Sequence, residues 1–284
     1  MLIKTSDNNL IKSLFKNFPL PQVNSHKGQN GKILVIGGSS LFHSASLWSA
    51  EVASHFVDMV HYSSTKENNE IFMSIKTKFR GGMVVKQEDL DEYVLEDDVV
   101  LAGTGMVRDG DEGKFTCELT KRLISNFPKK KFVFDAGSLQ TMDKEWLLEL
   151  KTPAIITPHQ KEFAKLFGIN IIDFSLEKKE QIVLETAEKF KTIILLKAVN
   201  DIISDGKKTY VVKGGNAGLT KGGTGDVLAA LSASFYCKNN PLDAAVFASV
   251  LLKKTSDVLF DSKKYWYNVN DIIKKLPEVL KSLV

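Results

Sequence analysis

Apolar residues fall along this chain in short aliphatic runs separated by stretches of helical spacing. The run Ile33-Leu34-Val35-Ile36, ending in Gly37-Gly38-Ser39-Ser40, predicts a strand buried on both faces that feeds a turn. Ala45, Trp48, Ser49, Val52, Ala53 and Phe56 then recur at i, i+3, i+4, i+7, i+8 and i+11, one face of a helix. Strand, glycine turn and helix make the first half of a βαβ unit. Further strands are predicted at Val57 to Tyr62, at Met83-Val84-Val85 and at Val99 to Ala102. Others follow at Phe132 to Phe134, at Ala154 to Ile156 and at Ile193 to Leu196. Helices are predicted around Asp111 to Asn126, Lys144 to Leu150, Lys161 to Phe167 and Leu176 to Phe190. Asp205-Gly206 between Asp201–Ser204 and Thr209–Val212 reads as a hairpin. The last third is helical, over Thr224 to Cys237, Leu242 to Leu259 and Val269 to Leu283, with Pro277 expected to break or kink the final helix.

Strands alternating with helices predict an α/β fold: a mainly parallel sheet with helices on both faces and a late antiparallel hairpin. In such sheets ligands lie beyond the carboxyl ends of the strands. Gly37-Gly38, Gly103-Thr104-Gly105, Asp135, Pro158-His159 and Lys197 each follow the last apolar residue of a strand, so all are expected on one rim. No repeat, low-complexity tract or Pro/Gly-rich linker divides residues 1–284, which read as a single domain. Within it, residues 1–20 form an N-terminal extension or docking helix, with Leu10, Leu14, Phe15 and Phe18 at roughly helical spacing.

Hydrophobic content of 43% and charged content of 25% fit an ordinary globular protein. A net charge of +4 without basic clusters interleaved with aromatics argues against nucleic acid as a partner. No window is apolar enough to span a bilayer and no signal peptide opens the chain, so a cytoplasmic protein is expected. Two cysteines, Cys117 and Cys237, suit a reducing compartment, with Cys237 a packing residue.

The chemistry concentrates in Gly222-Gly223-Thr224-Gly225-Asp226, which opens directly into the apolar run Val227 to Phe235. Residues without bulk let backbone N–H groups approach an anion at the positive end of a helix dipole. An aspartate adds negative charge where a phosphate would sit. Asp226 is therefore either a base that deprotonates a hydroxyl attacking a phosphoryl group, or a carboxylate favoured in a first helical turn. His159 is either a ligand contact or a helix cap with Glu162 as its capping-box partner. Asp135 is a weak candidate for holding a metal, and Lys197 for touching phosphate; each has a purely structural alternative. The sequence holds no G-x-G-x-x-G after the first strand, no P-loop, no H-E-x-x-H and no G-x-S-x-G.

Taken in order, several segments resemble the ADP/ATP-dependent NAD(P)H-hydrate dehydratases, which have a ribokinase-like fold. They are His26-Lys27-Gly28, Ile33 to Gly38 with Ser44-Ala45, Ala102 to Gly105, Phe134-Asp135-Ala136, Thr157 to Glu162, Leu196-Lys197 and Gly222 to Ala229. The resemblance runs from about Pro21 to the C-terminus and leaves no room for the epimerase domain fused to some relatives. It implies a lyase that repairs hydrated NADH or NADPH: ADP or ATP phosphorylates the ring hydroxyl, and phosphate then leaves as the ring nitrogen restores the double bond. It implies that Asp226 is the base and that Gly222, Gly223, Thr224 and Gly225, with Mg²⁺, stabilise the transferring phosphoryl group. By motif position, Ala45, Gly105, His159 and Asp226 match residues contacting the hydrated dinucleotide. Lys197, Ala198, Val199, Asn200, Asp201 and Gly225 match the nucleotide side.

The chain departs from the family pattern at Ser44-Ala45-Ser46, at Phe56 to Val60, at Lys197 to Asp201 and at Lys221, which precedes the glycine loop where a small residue is usual. A thiazole or hydroxymethylpyrimidine kinase of the same fold is the alternative enzyme, and a non-catalytic nucleotide-binding protein the alternative from another class. Relatives often form homo-oligomers, but no apolar stripe marks an interface.

Overall fold

The computed structural model describes all residues from Met1 to Val284. The strands are β1 (Leu2–Lys4), β2 (Lys32–Ile36), β3 (Met59–Ser63), β4 (Met83–Val84), β5 (Val99–Ala102), β6 (Lys131–Phe134), β7 (Ile155–Ile156), β8 (Ile193–Leu196), β9 (Asn200–Ser204) and β10 (Thr209–Lys213). They form one ten-stranded sheet in the order β1-β10-β9-β8-β7-β6-β5-β2-β3-β4. Pairing is parallel except for β8 with β9 and β9 with β10.

Successive strand residues face opposite sides of the sheet. Ile33, Val35, Val99, Leu101, Ile193 and Leu195 point into one core, packed by helices α1 (Asn8–Phe15), α2 (Ser44–Ser54), α9 (Thr224–Tyr236), α10 (Pro241–Lys263) and α11 (Val269–Leu283). Leu34, Ile36, Val100, Ala102, Ile194 and Leu196 point into the other, packed by α4 (Leu90–Glu96), α5 (Gly110–Asn126), α6 (Ala136–Thr141), α7 (Gln160–Phe167) and α8 (Leu176–Phe190). Apolar cover on both faces is why these strands read as continuous aliphatic runs. Helix α3 (Lys66–Ser74) lies beside β4.

Besides α3, α4 and α6, short helices that the apolar spacing does not predict, four features differ from the sequence expectation. The first residues form an edge strand, with Ile3 buried between exposed neighbours, before Asp7 caps α1 through the amide of Leu10. Three residues give too little periodicity to announce a strand; its pairing with β10 makes it one. Lys144–Glu149 is a 3₁₀ turn, not an α-helix. Helix α11 runs unbroken through Pro277, because Ile272, Ile273, Leu276, Val279 and Leu283 are anchored in the core and their burial outweighs one lost backbone bond. Trp48, which the spacing puts on the core face of α2, is only partly buried and reaches the glycine loop.

Candidate active site

Parallel pairing of β2, β5, β6, β7 and β8 brings their carboxyl ends to one edge, and with them Gly37, Gly103, Asp135, Thr157 to His159 and Lys197. Helix α9 begins over this edge. Its first residues, Thr224 to Asp226, follow Gly223, which sits in the left-handed region (φ 98°). A side chain at Gly223 would collide with the indole of Trp48, whose Cζ3 lies 2.5 Å from the would-be Cβ. The backbone amides of Gly222, Gly223 and Gly225 find no acceptor in the chain. Unpaired N–H groups at a helix N-terminus form an anion cradle. The Thr224 hydroxyl does not join it, donating instead to Leu219 and Lys221 carbonyls at 2.7 and 3.0 Å.

Beneath the loop lies a buried charge cluster. Lys197 Nζ donates to Asp135 Oδ1 at 2.6 Å and lies 3.9 Å from Glu162 Oε2. Thr157 Oγ1 donates to the same Asp135 oxygen at 2.8 Å. Burial would deprotonate Lys197, but Asp135 and Glu162 overcome it and raise the ammonium pKa. Asp226 joins the cluster from above. Its burial, reinforced by the negative charge of Asp135 and opposed by Lys197, pushes its pKa up to about 7. A carboxylate poised there both accepts and returns a proton near neutrality.

Asp226, Gly222 and Gly223 form one end of a cleft of about 1130 Å³. Its wall continues through Trp48, Ala45 and Gly105 to Phe42, His43 and Ser40, facing Arg108, Ala136 and Gln140. Gly105 has φ 71°, and any side chain on it would strike the Ala45 methyl. Ala45, Gly105 and Asp226 thus share one cavity. His159 lies outside that wall, as the N-cap of α7. Its Nδ1 accepts the Glu162 amide at 3.1 Å while Glu162 Oε2 accepts the His159 amide, a complete capping box. An accepting Nδ1 leaves Nε2–H as the donor in the neutral ring, half-exposed and 3.5 Å from Glu162 Oε1. Gln140 Nε2, which lines the cleft, donates to Glu162 Oε1 at 2.8 Å and links the two regions.

At the neighbouring turn, Gly225 stands over Lys197, with 3.4 Å between its would-be Cβ and Nζ. Ala198 and Asn200 are part-buried, and Val199 is exposed. Asp201 points inward: it accepts the Ala198 amide at 3.0 Å and the Ser249 hydroxyl at 2.7 Å, 3.5 Å from Lys253 Nζ. Lys253 also donates to the Val199 carbonyl at 2.9 Å, so the pair shapes the turn from below. No three His, Cys, Asp or Glu side chains are arranged to hold a metal ion. Asp135 Oδ1 already carries Lys197 and Thr157.

Trp48, Arg108 and Gln140 are cleft residues that spacing did not single out; a tryptophan in a helical stripe and polar residues after strands carry no signal of their own. Lys221 is explained by its contacts. Its Nζ donates to the carbonyls of Tyr265 and Tyr267, tying the α10–α11 turn to the glycine loop.

The family model for NAD(P)H-hydrate dehydratase matches residues 33–278. The bifunctional NAD(P)H-hydrate repair enzyme of Methanocaldococcus jannaschii is 34% identical over 270 residues, covering 91% of this chain and 50% of that protein. The chain therefore spans about half the length of such bifunctional relatives. The ADP-dependent (S)-NAD(P)H-hydrate dehydratase of Nitrosopumilus maritimus is 29% identical over 285 residues, 96% of each chain. Among solved structures, the ADP/ATP-dependent NAD(P)H-hydrate dehydratase of Bacillus subtilis, co-crystallised with ATP/Mg²⁺, superposes with a TM-score of 0.80 at 20% identity, covering 98% of this chain and 97% of that one. A ribokinase-like superfamily protein of Enterococcus faecalis superposes with a TM-score of 0.84 at 22% identity, covering 100% of this chain and 96% of that one. No helix is long and apolar enough to cross a membrane.

Proposed function

The chain belongs to the NAD(P)H-hydrate dehydratase family, and from that premise we propose that it restores hydrated NADH or NADPH with ADP or ATP as phosphoryl donor. The observation that carries the reading is Asp226, tuned to about 7, at the end of a dinucleotide-sized cleft beside three unpaired backbone amides.

The ring hydroxyl of the hydrated nicotinamide lies against Asp226, which takes its proton as the oxygen attacks the donor's terminal phosphorus. The bond from that phosphorus to the departing nucleotide breaks. Amides of Gly222, Gly223 and Gly225 hold the phosphoryl oxygens, and Lys197 supplies positive charge under the loop. The ring C–O bond then breaks, phosphate leaving with the bonding electrons as the ring nitrogen pushes in its lone pair, and the departing phosphate takes the adjacent ring C–H proton, whose bonding electrons restore the double bond. Ala45, Gly105 and Trp48 wall the dinucleotide, His159 offers its Nε2–H, and the turn Lys197 to Asp201 floors the nucleotide. A Mg²⁺ brought in with the nucleotide would find Asp226 as the carboxylate facing the cleft, and would supply positive charge against the phosphoryl group.

Incubation with hydrated NADH or NADPH, ADP or ATP, and Mg²⁺ tests this. Dihydronicotinamide absorbance is expected to return with at least one nucleotide. A flat trace with both nucleotides and both hydrates, or a phosphorylated product that accumulates without restored absorbance, refutes the dehydratase; the second outcome indicates a kinase.

A further inference from the structure

We propose that the chain carries a second small-molecule site, at the far end of α9 from Asp226, which takes a planar aromatic molecule bearing an anionic group. The site is a cavity of about 680 Å³, within the size range of small-ligand pockets. It is roofed by the strap from Phe18 to Asn30, which contains His26-Lys27-Gly28, a segment with no place in the cleft. Lys238, at the other side, lies twelve residues along the chain from Asp226, or about 18 Å of helix axis, with the core between them.

The floor is aromatic. Phe235 meets Phe18 edge-on at 5.1 Å and Phe56 edge-on at 5.5 Å. The rim is made of donors. Lys238, His26 and His55 line the cavity, and none forms an ion pair or a side-chain hydrogen bond within the chain. Gln22 and Asn24 add free carboxamides, while those of Asn30 and Asn239 are held by Asp58 and the Phe235 carbonyl and Gln29 accepts the His26 amide; no Asp or Glu lines the wall. The nearby carboxylate of Asp58 is spent on the amides of Gly28 and Asn30 at 2.9 and 3.0 Å. Acceptors that α9 would present at its end are also taken: the Phe235 carbonyl receives the Asn239 amide at 3.0 Å and its Nδ2 at 2.7 Å. An aromatic floor under an uncompensated ammonium and two imidazoles selects a flat ring through stacking and edge contacts, and a negative group through charge-assisted hydrogen bonds.

The probe is 8-anilino-1-naphthalenesulfonate, followed by its fluorescence, beside its uncharged relative N-phenyl-1-naphthylamine. One saturable sulfonate site is expected, undiminished by saturating ATP and by Asp226→Asn. It should weaken about tenfold or more in the double variant His55→Ala/Lys238→Ala, the worth of one or more charged contacts, and the uncharged amine should bind more weakly by a similar factor. Both replaced side chains are exposed, so the variant's thermal midpoint should match the parent's. Displacement by ATP, loss in Asp226→Asn, a signal that never saturates, equal affinity for the uncharged amine, or full binding by a folded double variant would each overturn the proposal. None of these outcomes bears on repair activity.

Discussion

Asp226→Asn is expected to abolish turnover and yet to stabilise the fold, in a way that depends on pH. The native pKa is about 7, against about 3.9 for an unfolded aspartate. Between those values the folded chain binds more protons than the unfolded one, so stability falls as pH rises. Below about pH 4 the group is neutral in both states and costs nothing; above about pH 7 the whole penalty is present. Three pH units at 1.36 kcal/mol each set a ceiling of about 4 kcal/mol, and relaxation and water reduce it to about 1–2 kcal/mol. For a chain of this length that is a rise of about 3–6 °C in thermal midpoint. Differential scanning calorimetry of both proteins at about pH 4 and about pH 8 is the assay, with midpoints converging at the lower pH and the variant higher at the other. A gap of equal size at both pH values, or a variant less stable at high pH, would show that Asp226 is not held in a desolvated, negatively charged setting.

Three further outcomes follow from the geometry. The pH profile of kcat/KM should rise through about pH 7 as Asp226 ionises, and Asp135→Asn, which removes a like charge, should shift that acid limb downward by about one unit in the residual activity; an unmoved limb would separate Asp135 from the base. Asp201→Ala leaves Lys253 buried without its carboxylate and should cost about 3–5 kcal/mol, a fall of about 10 °C in midpoint by calorimetry. Gly223→Ala forces a methyl into Trp48 and a left-handed backbone onto alanine, so kcat/KM should drop by tenfold or more while the circular dichroism spectrum is kept.

The rim of the sheet was legible because chemistry-bearing residues stood directly after aliphatic runs, and the parallel topology alone carries those positions to one edge. The glycine loop was legible for the same reason, as small residues opening onto a continuous apolar helix. What pattern did not reveal were side chains whose meaning depends on a distant partner. Asp201 reads as one more polar residue at a strand start, and only Ser249 and Lys253, some fifty positions later, turn it inward. Trp48 belongs to the periodic face of α2, yet it lies where that face leaves the core. Lys221 looks out of place beside a loop of small residues until the carbonyls of Tyr265 and Tyr267 are seen to claim it. His159 has two readings in the sequence, and the capping box accounts for one ring nitrogen while the other lies half-exposed, 3.5 Å from Glu162 Oε1.

Helix α9 is enclosed on every side, with each residue from Val227 to Tyr236 buried. The cradle above it therefore behaves as a fixed anvil: it cannot tilt toward an incoming molecule without tearing the interior. The opening is bordered instead by the shoulder of Ser40 to Phe42 and by the Arg108 bend opposite, where the chain is exposed. Traffic through the doorway and precision at the reacting atoms are thus assigned to different parts of the molecule, so replacements at the shoulder should alter how fast visitors come and go while leaving the chemical step itself untouched.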